Sequence, residues 1–195
     1  MKRLNLLNRL IRFALRYPFT GRKLTDYMIE SVNPDLSKFR IRPAEESDVK
    51  LILRFITELG EYEKLSHQVV ATEEKLLQTL FRQRMAEVII GKFEEKPVGF
   101  ALFFHNYSTF LGQAGIYLED LYIKPEMRGK GFGKTMLRHL AKLAVERNCG
   151  RLEWACLDWN EPAICFYKGL GAKALEDWTI YRVTGPELQA LANDL

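Results

Sequence analysis

A chain of 195 residues, 47% hydrophobic and 12% aromatic, suits one domain with a short appendage and is too apolar for a disordered protein. No apolar run nears the roughly 20 residues of a membrane span, which argues against a transmembrane protein. The net charge of +4 is unevenly placed: residues 1–38 hold eight Lys/Arg against three acids, leaving 21 basic and 22 acidic residues for 39–195, so the near-neutral body lacks the clustered positive charge that nucleic acid requires.

In chain order, residues 1–17 carry Leu4, Leu7, Ile11, Ala14 and Leu15 at helical spacing, with Arg9, Arg12 and Arg16 on another face, which predicts a basic amphipathic helix. Tyr17-Pro18 ends it, since the residue before proline is pushed out of the helical region. Three readings compete for this arm: a helix docked on its own domain or a dimer mate, a membrane-surface or organelle-targeting segment, and a tail without structure. Residues 18–38, with Pro18, Gly21, Asn33 and Pro34, read as a linker, so the domain is placed at 39–195. It opens with a short strand from Phe39, stopped by Pro43. Helices are predicted from about Ser47 to Leu59 and from Thr72 to Arg84, the second capped by Thr72 with Glu73 and Glu74 at its positive end. Val88–Phe93 and Val98–Phe104 form a predicted hairpin around Glu94–Pro97. A strand at Ile116–Ile123, a glycine loop, a helix from Gly133 to Arg147, a strand at Arg151–Leu157, a helix at Glu161–Lys168 and a last strand at Thr179–Val183 complete a mixed α/β fold with one central sheet.

Cys149, Cys156 and Cys165 are an odd number without C-x-x-C spacing, and are expected to be small buried apolar residues in a reducing compartment. His67, His105 and His139 show no ligand spacing to them, so no metal site is expected.

Two stretches carry chemistry. In the first, a strand ending in Leu121-Tyr122-Ile123 feeds Arg128-Gly129-Lys130-Gly131-Phe132-Gly133, which opens directly into a helix. Glycines let the backbone turn tightly and approach a ligand closely. Exposed amide N–H groups and the helix dipole then make an anion site of pyrophosphate size, to which Arg128, Lys130 and Lys134 add charge. The strictly alternating glycines are neither a dinucleotide fingerprint nor a nucleoside triphosphate loop. In the second stretch, Asn160 stands just ahead of a helix with Pro162 in its first turn and Tyr167-Lys168 at its end. Helical spacing gathers Ala163, Phe166 and Tyr167 on a buried or cofactor-facing side, where Tyr167 taken alone reads more readily as a core aromatic than as a catalyst.

Taken together, Arg-x-x-Gly-x-Gly and Asn-Glu-Pro-x-x-x-Phe-Tyr-x-x-x-Gly resemble the acetyl-CoA signature of the GNAT superfamily, in matching order over essentially all of 39–195. Glu61–Ser66, Tyr107-Ser108-Thr109, Tyr117-Leu118-Glu119-Asp120 and Leu157-Asp158-Trp159-Asn160 extend the resemblance to the diamine/polyamine (spermidine/spermine) and thialysine N-acetyltransferases. That resemblance implies the GNAT fold, with a mixed sheet splayed at the acetyl-CoA site, and a homodimer in the cytoplasm. It implies that backbone at Leu121, Tyr122 and Ile123 holds the pantetheine arm, and that the loop Arg128, Gly129, Lys130, Gly131, Phe132, Gly133 and Lys134 holds the pyrophosphate. Asn160, with Pro162 and Lys168 on the same helix, contacts the cofactor. By the same resemblance, Tyr167 is expected to protonate the departing thiolate and Glu119 to deprotonate the amine through water. Tyr62, Glu63, Glu119, Asp120 and Trp178 are the expected amine-binding residues. The chemistry is consistent: an amine with a pKa of roughly 10 arrives protonated, so a carboxylate must bind it and take its proton before it attacks.

One departure bears on substrate. Polyamine-preferring members carry Asp-Pro-Trp where this chain has Ser108-Thr109-Phe110, so one acid and the stacking tryptophan are missing and a shorter amine is expected. Two rivals remain open: acetylation of a protein or peptide amine, and, in another class, a non-catalytic acyl-CoA-binding module. Intact Glu119 and Tyr167 argue against the second.

Overall fold

The computed structural model describes residues 34–193; the predicted amphipathic arm and the linker as far as residue 33 lie outside them. Two compact units divide the chain, Met1–Trp154 and Ala155–Leu195.

In the first unit, a single helical turn, Pro34–Ser37, leads into a five-stranded sheet in the order β1-β2-β3-β4-β5: β1 Phe39–Pro43, β2 Glu87–Phe93, β3 Lys96–Ser108, β4 Gln113–Ile123 and β5 Leu152–Trp154. The first four strands are antiparallel, and β5 joins β4 in parallel. The hairpin between β2 and β3 is tight because Glu94 and Glu95 both take positive φ, 46° and 65°, as a two-residue turn matched to strand twist requires. Ion pairs of Lys38 with Glu94 and of Lys92 with Glu95 hold these two strained residues.

Helix α1, Val49–Tyr62, and the short α2, Glu73–Leu76, which runs on as a π-turn through Leu77–Arg82, cover one face of the sheet. Thr72 caps α2 as expected, its side chain accepting from the Lys75 N–H. The spacing of Val49, Ile52, Phe55 and Leu59 buries one stripe of α1 against Val88, Ile90, Phe100 and Tyr122. Helix α3, Phe132–Glu146, packs on β4 and β5 through buried Met136, Leu137 and Leu140.

A charged pair anchors the entry to α1. Arg42 on β1 donates two hydrogen bonds to Asp48, at 2.6 and 2.8 Å, and Asp48 also accepts from the Glu45 N–H at 2.8 Å. Hydrogen bonding to Arg42 holds the nearly buried Asp48 carboxyl below its ordinary pKa of 3.8. Stabilisation from a depressed carboxyl is present above the unfolded value and is lost as pH falls through the folded one. Asp48→Ala is therefore expected to cost about 1.5–3 kcal/mol in urea unfolding at pH 7, the range for hydrogen bonds to a charged group, and clearly less near pH 2.

In the second unit, α4 spans Glu161–Lys168 as predicted, and a further helix that the sequence reading lacked, α5, spans Gly185–Asn193. Its signals were Pro186 in the first turn and Glu187 at the positive end. The predicted strand Thr179–Val183 is not formed. Its alternation suits a strand, but among the described residues it has no ladder partner; Ile180 is 75% exposed and Tyr181 90%. Predicted strand Arg151–Leu157 is also shorter, ending at Trp154. The cysteines are not buried as expected: Cys149 and Cys156 are half-buried and Cys165 is exposed.

Candidate active site

The glycine loop sits between the end of β4 and the start of α3. After Ile123, a turn at Pro125–Met127 delivers Arg128; Gly129 and Gly131 then take φ of 77° and 85°, which other residues reach only under strain. Gly131 occupies the position before the helix, with no side-chain cap, and its carbonyl accepts from both the Thr135 N–H (3.0 Å) and the Thr135 hydroxyl (3.1 Å). The amides of Phe132, Gly133 and Lys134 thus lie in the first turn, where α-helix geometry provides no partner. A Cβ added at Gly129 meets nothing within 4 Å, so the cradle beside it is open. Those features fit an anionic phosphate group.

Phe132 has a different part from the rest of the loop. It is buried, stacked on Phe39 of β1 at 4.4 Å between centroids and 5.3 Å from Phe93 of β2. Its ring therefore anchors the loop, and only its backbone is free to meet a ligand. Lys130 lies 3.6 Å from the Asp35 carboxylate with its ammonium 5.3 Å from the Phe93 ring centre. Arg128 turns inward: its Nε donates to the Ile123 carbonyl at 3.0 Å, and its guanidinium carbon is 4.2 Å from the centre of the Tyr62 ring and 5.8 Å from that of Tyr122. No spacing in the sequence signals the contact with Tyr62.

Strand β4 runs on past β5. The last pair of that ladder is Leu118 with Trp154, so from Glu119 to Ile123 the outer edge of β4 has no strand partner among the described residues. The sheet is mixed and open at this point, as expected. Tyr122 and Ile123 turn their side chains into the interior, leaving backbone at that edge. Burial and a hydrogen bond with Glu58 push the Tyr122 phenol up to about 12.

A β-bulge sets the acid pair. Leu102 faces Asp120 while Phe103 faces Leu118, so Glu119 is the extra residue opposite no partner. Simple alternation would have sent Glu119 and Asp120 to opposite faces; the extra residue breaks that alternation at Glu119, while Asp120 keeps its register with Leu102. Asp120 falls on the side of Phe100 and Tyr122, under α1, and is half-buried, whereas Glu119 is exposed. Burial, with the neighbouring charges of Glu119 and Glu63, raises the Asp120 carboxyl to about 7. Burial also raises Glu63, which follows Tyr62 at the end of α1. The first unit thus brings Glu63, Glu119 and Asp120 together, with Tyr62 on Arg128.

Ser108 is buried at the end of β3, and its hydroxyl accepts from the Leu111 N–H at 3.2 Å, while Phe110 is 93% exposed. The position that is an acid in polyamine-preferring members is therefore a turn-forming hydroxyl here.

In the second unit, Asn160 is buried and caps α4, its side chain accepting from the Ala163 N–H at 3.4 Å. Pro162 occupies the first turn, Tyr167 lies 5.3 Å from Phe166 between ring centres, and Lys168 ends the helix. Trp178 lies outside the helices and is 72% exposed. No group of three His, Cys, Asp or Glu that could hold a metal occurs among the described residues.

Comparison with known proteins gives a consistent picture. The profile of the Acetyltransferase (GNAT) family matches residues 54–172. The chain is 42% identical over 164 residues to the thialysine N-epsilon-acetyltransferase of Bos taurus, covering 78% of this chain and 96% of that protein. It is 34% identical over 198 residues to the L-ornithine N5-acetyltransferase of Arabidopsis thaliana, covering 78% and 87%. Among solved structures, an integron cassette protein of V. cholerae superposes with a TM-score of 0.68 at 28% identity, covering 80% of this chain and 99% of that one. The chain belongs to the GNAT family of acetyltransferases, enzymes that draw their acetyl group from acetyl-CoA.

Proposed function

We propose that this enzyme acetylates the terminal primary amine of a short molecule bearing a second charged group, such as thialysine or a lysine-like amino acid, or a short diamine, in preference to long polyamines. The single observation that carries the reading is the β4 bulge, which sets Asp120 and Glu119 beside Glu63 at the start of the strand's free edge. Three carboxylates suit an ammonium group, and the free edge leads toward the Arg128–Lys134 loop.

In this reading, backbone at Leu121, Tyr122 and Ile123 holds the pantetheine arm, and the first-turn amides of α3, with Lys130, Lys134 and Arg128, hold the pyrophosphate. Glu119 and Asp120 bind the substrate ammonium and take its proton, freeing the nitrogen lone pair to attack the thioester carbonyl carbon. As the carbon–sulfur bond breaks, its electron pair goes to sulfur, Tyr167 supplies a proton there, and the second proton leaves the attacking nitrogen and restores the phenol. Asn160, Pro162 and Lys168 bear on the cofactor from α4, while Tyr62, Glu63 and Trp178 line the amine. A homodimer and a cytoplasmic setting are the assembly and location that the resemblance implies. No described helix is long and apolar enough to cross a membrane, and surface contact through residues 1–17 concerns the arm outside the described residues.

Substrate length is the decisive test. Equal concentrations of thialysine, ornithine, putrescine and spermine compete for limiting acetyl-CoA, with products separated by mass. An exposed ion pair is worth about 0.2–1 kcal/mol and a cation–π contact about 0.5–2, so loss of the acid at Ser108 and the tryptophan at Phe110 disfavours spermine by roughly 3- to 150-fold. Spermine as the dominant product would refute the assignment.

Asp120 also dictates a pH profile. Its raised carboxyl is neutral below about 7 and ionised above, and only the ionised form accepts a proton, so kcat/KM rises with pH through this range. Glu63 and Glu119 are the carboxylates whose charge acts on it. Asp120→Asn is expected to remove that rising limb, while Glu63→Gln shifts it to lower pH by removing one repelling charge. A limb unchanged in Asp120→Asn would assign it to another group.

A further inference from the structure

Arg128 stands where two jobs meet. It opens the glycine loop, and its side chain is engaged beyond it, Nε donating to the Ile123 carbonyl and the guanidinium carbon lying 4.2 Å from the centre of the Tyr62 ring. Tyr62 is the last residue of α1 and precedes Glu63, whose charge acts on Asp120. One guanidinium therefore joins the end of β4, the phosphate loop and the wall of the amine site. A planar guanidinium suits both partners open to it: it stacks on an aromatic face, and it pairs with phosphate oxygens through two parallel N–H bonds. It cannot do both fully from one position.

We propose that Arg128 is a positioning residue through which the pyrophosphate of acetyl-CoA and the ring of Tyr62 compete for a single guanidinium, so that cofactor binding prepares the amine site. This rests on the reading of the loop and acid cluster given above. In the arrangement described, the guanidinium covers the Tyr62 face and places a positive charge at the wall that must receive a cation. Pyrophosphate draws that charge toward itself and neutralises it, and the exposed ring face then becomes available to the substrate ammonium. Both changes act in the same direction. The amine binds more tightly after the cofactor than before it, and by linkage the amine tightens the cofactor by the same factor.

Two measurements test this on the full chain. In protein labelled with ¹³C on tyrosine rings, the Tyr62 resonance, assigned by its loss in Tyr62→Phe, is expected to move on saturation with CoA, which carries the same pyrophosphate and cannot react. In Arg128→Lys, which keeps the charge and loses the planar stack, that movement should disappear. By calorimetry, ornithine should bind at least 5-fold more tightly to the CoA-saturated protein than to the free protein. The ratio should fall below 2 in Tyr62→Leu, which leaves the loop intact and covers the case in which Arg128→Lys no longer binds CoA. A Tyr62 resonance unmoved by saturating CoA, or a ratio undiminished in Tyr62→Leu, overturns the proposal. Failure of the acetyltransfer reading shows differently: Tyr62 would respond to CoA while no amine released thiol from acetyl-CoA.

Discussion

Gly131→Val should abolish measurable acetyl-CoA binding in a protein that remains folded. Gly131 has φ of 85° at the position before α3, a conformation that a β-branched residue adopts only as an outlier. If the valine were forced into it, the cost would be about 1–2 kcal/mol, well within a typical stability of about 5–15 kcal/mol. Relaxing that strain turns the peptide on either side and misdirects the first amides of α3, whose aim the phosphate requires. The matched control is Gly112 at the tip of the β3–β4 hairpin, with φ of 62° and open space around it. Gly112→Val carries comparable strain and should keep acetyl-CoA affinity. Calorimetric titration with circular dichroism as the folding check decides it; unchanged affinity in folded Gly131→Val would remove the loop from the cofactor site.

The second large effect is expected at Tyr167. Tyr167→Phe keeps the ring that meets Phe166 and removes only the phenolic oxygen. If Tyr167 delivers a proton to the departing thiolate, turnover falls roughly 10²–10⁴-fold, the usual weight of one acid–base group, with acetyl-CoA binding little changed. A change confined to stability, or a turnover near that of the parent, would make Tyr167 a packing residue.

How far the sequence carries can be judged residue by residue. The helical pattern from about Ser47 to Leu59 and the strand–glycine loop–helix order located α1 and the cradle, because local periodicity and positive φ leave direct marks in composition. Helix α4 was legible through Asn160 and Pro162 for the same reason. The bulge at Glu119 was not, since it exists only as a mismatch with β3, whose register no local pattern records. Neither was the side-chain direction of Arg128, fixed by a ring that lies 66 positions earlier in the chain. The alternation at Thr179–Val183 misled because a strand needs a neighbour as well as a pattern.

The stacking of Phe132 on Phe39 has a consequence for how the enzyme comes into being. The cradle is held from beneath by the strand that opens the sheet and by β2, so its two supports are made long before the loop itself emerges. Closing so large a separation is slow relative to forming a local helix, and the glycine loop has little stiffness of its own. A full-length chain whose first strand has not paired would have the right residues and no competent phosphate site. Capture of acetyl-CoA then serves as a report that the whole sheet has assembled, and loss of that capture should be the earliest sign of an enzyme fraying from its first strand.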